Sequence, residues 1–295
     1  MTVSPSSSAQ AARDSVARQL RALRQDAGLT IVELAGNCGW SHSKVSRIEN
    51  SRTPPSAADI VAWCRRCGAE DRTRDLVALS RDVESMYQDW RKKARAGLRQ
   101  LQDSYLQLFQ STRLFRVYSP TAIPGLLQTE GYARALLSGN AQMLGIPDDS
   151  AEAASARAER SQVIHHAGHR FVFVIEEAVL RYQLGSSDDM AAQLGHLLTA
   201  GALPAVSLGV IPMATPSRRL WPQEVFHIYD DTLVSVELLS AQVNITQPSE
   251  VALYEKAFEE LRSMALYGPA ARTLIVEAIE ALPDAQVPGA ARTAH

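Results

Sequence analysis

Apolar residues recur at helical spacing near the start of the chain. Val16, Leu20 and Leu23 share one face and define a first helix that stops at Gly28. Thr30 is placed to cap a second helix over 31–38, with Glu33 at capping-box spacing. Gly39 suits the left-handed residue of a tight turn. Ser41 caps a third helix in which Val45 and Ile48 face inward, leaving His42, Ser43, Lys44, Ser46 and Arg47 facing outward. After Pro54-Pro55 a further helix is predicted over 60–68. Two short helices joined by a glycine turn form a helix-turn-helix, which presents the N-terminal residues of its second helix.

The pattern then changes. Residues 70–104 read as a polar connecting helix, turning apolar at Tyr105, Leu106, Leu108 and Phe109. Ser119-Pro120 and Ile123-Pro124-Gly125 break the chain before helices over 126–138 and 150–165. A β-branched and aromatic run at 170–175 predicts a buried strand, a helix over 188–200 follows, and 205–210 is a second strand. That order implies a parallel pair with a right-handed crossover. Asp230-Asp231 sits between two short strands as a hairpin turn. Amphipathic spacing at 251, 254, 258 and 261 predicts a helix over 249–266, and Gly268-Pro269 precedes a last helix to 282. The predicted domain plan is therefore a disordered leader over 1–15, a helix-turn-helix domain over 16–69 and a connecting helix over 70–104. A C-terminal sensor, partner or dimerisation domain follows over 105–283, with a disordered tail over 284–295.

At 46% hydrophobic and 21% charged residues, the composition is that of a globular protein. No run approaches the ~18 apolar residues of a membrane span, and the Ser-rich start is no signal peptide. The three cysteines do not make a disulfide framework, and a reducing cytoplasm is the expected location. The net charge of −2 conceals an asymmetry: residues 1–100 carry 17 basic against 11 acidic side chains, while the remainder carries 13 against 21. A front end suited to polyanions and a rear end that avoids them follows from this. Only four of the thirty basic residues are Lys, as in a GC-rich bacterial genome.

Leu20-Arg21-Ala22-Leu23-Arg24, Ala27-Gly28-Leu29-Thr30, Glu33-Leu34-Ala35 and Val45-Ser46-Arg47-Ile48-Glu49-Asn50 together resemble the Xre family, the repressors of the lambda and 434 phage type. The resemblance implies an all-α, five-helix, lambda-repressor-like DNA-binding domain whose recognition helix enters the major groove. His42, Ser43, Ser46 and Arg47 match positions that read base edges, with Arg47 able to grip guanine in a bidentate way. Thr30, Ser41, Lys44, Asn50 and Arg52 match phosphate-holding positions, and Arg24 with Glu49 matches a structural ion pair. Ile31 stands where the family usually has Gln, a departure that removes one phosphate contact.

Farther on, the segment from Ile123-Pro124-Gly125-Leu126-Leu127 to Tyr132-Ala133-Arg134-Ala135 is distinctive. So is Val236-Glu237-Leu238-Leu239 with the helix around Tyr254 and Phe258. These resemble the uncharacterised C-terminal domain of WhiJ-like actinobacterial regulators, for which an α+β fold is expected here: a small mixed sheet covered by helices. In that group a neighbouring gene often encodes a small protein, and the pair behaves somewhat like a toxin–antitoxin system. The expected protein is thus a cytoplasmic transcriptional regulator that binds double-stranded operator DNA as a homodimer. A small protein partner or a ligand acts on its C-terminal domain. The alternative is an antitoxin-like protein that sequesters the partner and autoregulates its own operon.

Other constellations do not amount to chemistry. Cys64-x-x-Cys67 follows core spacing on a helix and lacks a second pair, so no metal is assigned. His165-His166-x-x-His169 has no carboxylate nearby in sequence, and Glu176-Glu177 diverge as adjacent residues on solvated faces. No phosphate-binding glycine loop or nucleophile elbow is present, so no catalytic residue and no cofactor is expected. Gln128, Glu130, Tyr132 and Arg134 are read as the polar edge of a helix docked through Leu126, Leu127, Ala133 and Leu137. The long loop at 211–223 is a place for a pocket or partner.

Overall fold

A computed structural model describes residues 5–283. Contacts divide the chain into two units. The first runs to Gln88 and includes Gln242–Asn244; the second comprises Asp89–Ala241 and the chain from Ile245 onward.

The first unit is helical: α1 (Pro5–Asp26), α2 (Ile31–Cys38), α3 (His42–Glu49), α4 (Ala57–Arg66) and α5 (Thr73–Met86). Its core is Val16, Leu20, Leu34, Val45, Ile48, Ile60, Trp63 and Leu76, all buried. The Trp63 indole N–H donates to the Leu20 carbonyl at 2.9 Å, so the largest side chain in this core leaves no polar atom unmet. Three expectations are corrected. Residues 5–15 are helical rather than a disordered leader, because Pro5 starts the helix well and packing at Val16 and Leu20 lets it propagate backward. The helix at 60–68 is the fourth, and the fifth is α5, whose Leu76 completes the core, so the unit does not end at 69. Residues 70–104 are not one connecting helix. After α5 come β1 (Tyr87–Asp89), α6 (Trp90–Lys93) and α7 (Leu98–Asp103), with Gly97 at φ 105° interrupting the last two. The expected tail over 284–295 lies outside the described residues.

The second unit is a mixed sheet covered by helices. After α8 (Leu106–Ser111) come β2 (Leu114–Ser119), α9 (Glu130–Leu144), α10 (Ser150–Ser161) and β3 (Arg170–Glu176). They are followed by α11 (Ser187–Ala200), β4 (Val206–Ile211), β5 (Val225–Tyr229), β6 (Leu233–Glu237), β7 (Ala241–Ile245, of which Gln242–Asn244 group with the first unit), then α12 (Pro248–Met264) and α13 (Gly268–Glu280). The order β6-β5-β2-β3-β4 puts β2 between a parallel neighbour, Leu114 opposite Arg170, and an antiparallel one, Phe115 opposite Tyr229. β3 and β4 are the parallel pair read from the strand–helix–strand pattern, joined through α11. The Asp230 turn connects β5 and β6, with Asp230 at φ 51° and its carboxylate accepting from the Arg113 and Leu114 N–H groups. The core gathers Phe115, Phe171, Phe173, Leu194, Leu197 and Ile275.

β2 escapes a periodicity reading because a charged residue sits inside it. Arg116 is held there by Glu255, 2.8 Å away, and by the Asp230 carbonyl. The helix expected over 126–138 begins later, at Glu130, after a single 3₁₀ turn over Gly125–Leu127, and runs on to Leu144.

Candidate nucleic-acid interface

The two helices of the motif are cut to length by their caps. Thr30 precedes α2 with a complete capping box: the Glu33 N–H donates to Thr30 Oγ1 at 3.2 Å, and the Thr30 N–H to Glu33 Oε2 at 2.8 Å. Those hydrogen bonds hold the Glu33 carboxyl below its usual range. Gly39, at φ 67°, ends α2, and the Trp40 N–H returns to the Ala35 carbonyl at 2.8 Å. One residue on, Ser41 Oγ accepts the Lys44 N–H at 3.2 Å and opens α3. With Val45, Ile48 and Glu49 buried, α3 presents His42, Ser43 and Arg47 to solvent, and Ser46 is half-exposed.

Arg47 and His42 have no side-chain partner among the described residues, and Arg52 is likewise exposed beyond the helix. The other residues of the motif are engaged. The Lys44 ammonium lies 2.6 Å from Asp59 and 4.3 Å above the Trp40 ring. Asp59 is itself the capping-box residue of α4, where burial raises its carboxyl but Lys44 and Ser56 hold it below the usual aspartate range. The Asn50 amide donates to the Ser46 carbonyl at 2.7 Å, and its oxygen accepts from Arg21 at 3.3 Å. Lys44 and Asn50, expected at phosphates, are thus tied within the unit in the DNA-free protein, Lys44 half-buried and Asn50 exposed. Ile31 is half-buried against the core, so its position in α2 is spent on packing. Thr30 and Ser41 remain exposed at their helix starts.

Beneath this face, Arg24 reaches Glu49 at 2.5 Å through Nε and 3.0 Å through Nη2, and donates to the Leu29 carbonyl at 2.6 Å. The bond to Glu49 raises the Arg24 guanidinium above its ordinary range despite its burial. Arg21 adds a second contact to Glu49 at 3.3 Å. Sequence reasoning passed over Arg21 and Asp59. Asp59 had a signal in Ser56-x-x-Asp59, the same capping-box spacing as Thr30-x-x-Glu33.

The residues set aside are accounted for. Cys64 is buried in the first unit's core, and burial pushes the half-buried Cys67 thiol up to about 11. His169 meets the Thr112 carbonyl at 2.6 Å, whereas His165 and His166 are exposed. Glu176 and Glu177 diverge, but neither is solvated. Glu176 takes a bidentate grip from Arg218 at 2.7 and 2.9 Å and the Tyr118 hydroxyl at 2.8 Å, while Glu177 binds Arg181 and the Met213 N–H, each at 3.0 Å. Gln128 and Tyr132 are buried rather than on a polar edge, tied to the Ile123 carbonyl and N–H respectively.

A helix-turn-helix domain family matches residues 15–77, the segment that holds this motif. A second family, described as a domain of unknown function (DUF5753), matches residues 102–277, more than half of the chain. The chain belongs to the DUF5753 family. This DUF5753 protein thus carries a DNA-binding helix-turn-helix ahead of its family domain. No curated protein matches it. Among solved structures it is similar to TrmBL2, described as an archaeal chromatin protein that shows a novel mode of DNA binding. The identity is 12% over 81% of this chain and 88% of that chain, at a TM-score of 0.33. Among the described residues no helix is long and apolar enough to cross a membrane.

Proposed function

We propose that this protein is a sequence-specific transcriptional regulator of the Xre type. It reads the major groove with His42, Ser43, Ser46 and Arg47 and binds its operator as a dimer. The carrying observation is Arg47, exposed in the second turn of α3 with no side-chain partner among the described residues. A free guanidinium there can approach O6 and N7 of a guanine together, worth about 1–3 kcal/mol of discrimination. Thr30, Ser41 and Arg52 flank the face as phosphate contacts that set register without choosing sequence. A dimer follows because one eight-residue helix covers only a few base pairs, and a twofold site supplies the rest. The residues after the helix-turn-helix act as the controlling region, answering to a small protein partner or a ligand.

The test is a mobility-shift titration on the protein's own promoter against a scrambled duplex of equal length. Arg47→Ala should weaken the preference by about 1–3 kcal/mol, at least several-fold, while circular dichroism and Tm stay unchanged. Preserved selectivity in that variant would remove α3 from the groove.

A further inference from the structure

The second unit holds a cavity of about 620 Å³, within the roughly 300–1,000 Å³ of small-molecule sites. Its walls are mostly apolar and aromatic, among them Leu101, Tyr105, Phe109 and Phe173. Two guanidiniums also line it, Arg157 and Arg160, three residues apart on α10 and so on one face of that helix.

Among the described residues neither arginine has a carboxylate at ion-pair distance, although Glu237 across the cavity exerts a longer-range attraction on both. Arg157 donates to two neutral amides, Gln102 at 3.0 Å and Gln128 at 2.5 Å. Arg160 is 9% exposed, its Nη1 donates to the Gln102 carbonyl at 3.1 Å, and its buried Nε has no hydrogen-bond partner. Its guanidinium lies over the Tyr105 and Phe109 rings, at 5.1 and 4.9 Å. The carboxylates that line the same cavity are turned to other groups. Glu224 accepts the Tyr254 hydroxyl at 2.6 Å, and Glu237 faces His227 at 3.5 Å. Burial and the neighbouring charge of Arg160 bring Arg157 down to about 10. Two positive charges therefore share a largely apolar chamber in which every direct ligand is neutral and the one attracting carboxylate, Glu237, is not at bonding distance, an arrangement that an incoming anion would relieve.

We propose that this cavity binds a small amphipathic organic acid, its anionic head on Arg157 and Arg160 and its apolar body against the aromatic wall. The head has planar donors in a fork that suits a carboxylate, and the two glutamines hold the Arg157 fork in place. Such a ligand would be the signal for the controlling region, and to that extent the inference rests on the proposed function. The occupancy itself does not, because it is read without DNA.

The experiment is calorimetric titration of the full chain with decanoate, decanol and decylamine, which share a body and differ in head charge. Decanoate should bind at least tenfold more tightly than decanol, and decylamine more weakly still. Arg160→Met and Arg157→Met, which keep the apolar stems, should each reduce the decanoate preference over decanol about tenfold. A purely structural role for the arginines would lower Tm in these variants and leave the head-group preference alone, and that result overturns the proposal. Equal binding of decanoate and decanol overturns it too, as does the absence of saturable binding by decanoate. Loss of promoter selectivity in Arg47→Ala with decanoate binding intact would separate the two readings.

Discussion

Arg24 and Arg160 are both shut away from water, one in each unit, and they are treated oppositely. Arg24 meets a buried carboxylate, Glu49, through two nitrogens and a backbone carbonyl through a third. Arg160 meets one carbonyl and two aromatic rings, and its Nε has no hydrogen-bond partner among the described residues. A buried charge with a matched partner is a brace, and it belongs to the internal economy of the fold. A buried charge without one is a site whose complement has to come from elsewhere. The helix-turn-helix thus pairs its buried arginine and displays Arg47 outside, whereas the sheet unit, which pairs Arg116 and Arg218 with carboxylates, leaves Arg160 without one at bonding distance.

That contrast can be broken by mutation. The largest effect should come from Glu49→Ala, which strands Arg24: about 3–5 kcal/mol of stability lost in the first unit, read by urea denaturation. Arg47→Ala should cost about 1–3 kcal/mol of sequence discrimination and almost no stability, read by competition binding at fixed salt. Arg160→Met should move stability by no more than about 1 kcal/mol in either direction, since an uncompensated charge leaves together with its modest contacts. A loss there as large as that of Glu49→Ala would show that the two arginines are equivalent after all.

The smallest effect concerns Lys44. Asp59→Asn should free its ammonium at a cost below about 1 kcal/mol, the usual range of a partly exposed pair. If the freed side chain then reaches the duplex, the slope of log affinity against log salt steepens by about 0.9, one phosphate's worth. The acid limb checks the same pair. Asp59 and Glu33 sit below their unfolded values, so their contribution is complete above those values and is lost as pH falls through the folded ones. The first unit's Tm should therefore hold near neutrality and fall below about pH 4, and in Asp59→Asn that acid fall should be shallower.

Much of this was legible from residues alone, for identifiable reasons. Helix starts at Thr30 and Ser41 are local chemistry, and the parallel pair β3–β4 follows from two apolar runs around a capped helix. What escaped reading is non-local. β2 is central, yet Arg116 interrupts its apolar run, and Glu255 and the Asp230 carbonyl, both far along the chain, make that arginine tolerable there. Lys44 was legible as an outward-facing base, but its capture by Asp59 depends on how α3 and α4 cross. The cavity arginines fell within an Ala-rich helical pattern that carries no mark of what faces them.

The place of β2 in the sheet has a consequence for how the chain is made. The core of α1–α5 closes within residues 16–79, so it can form as soon as that stretch has left the ribosome. β2 pairs with β3 on one side and on the other with β5, which is synthesised much later. Pairings so distant in sequence are slow to form, and until they do, Phe115, Val117 and Tyr118 lack their strand neighbours. The helix-turn-helix core is therefore complete while the central strand of the sheet still lacks its last partner.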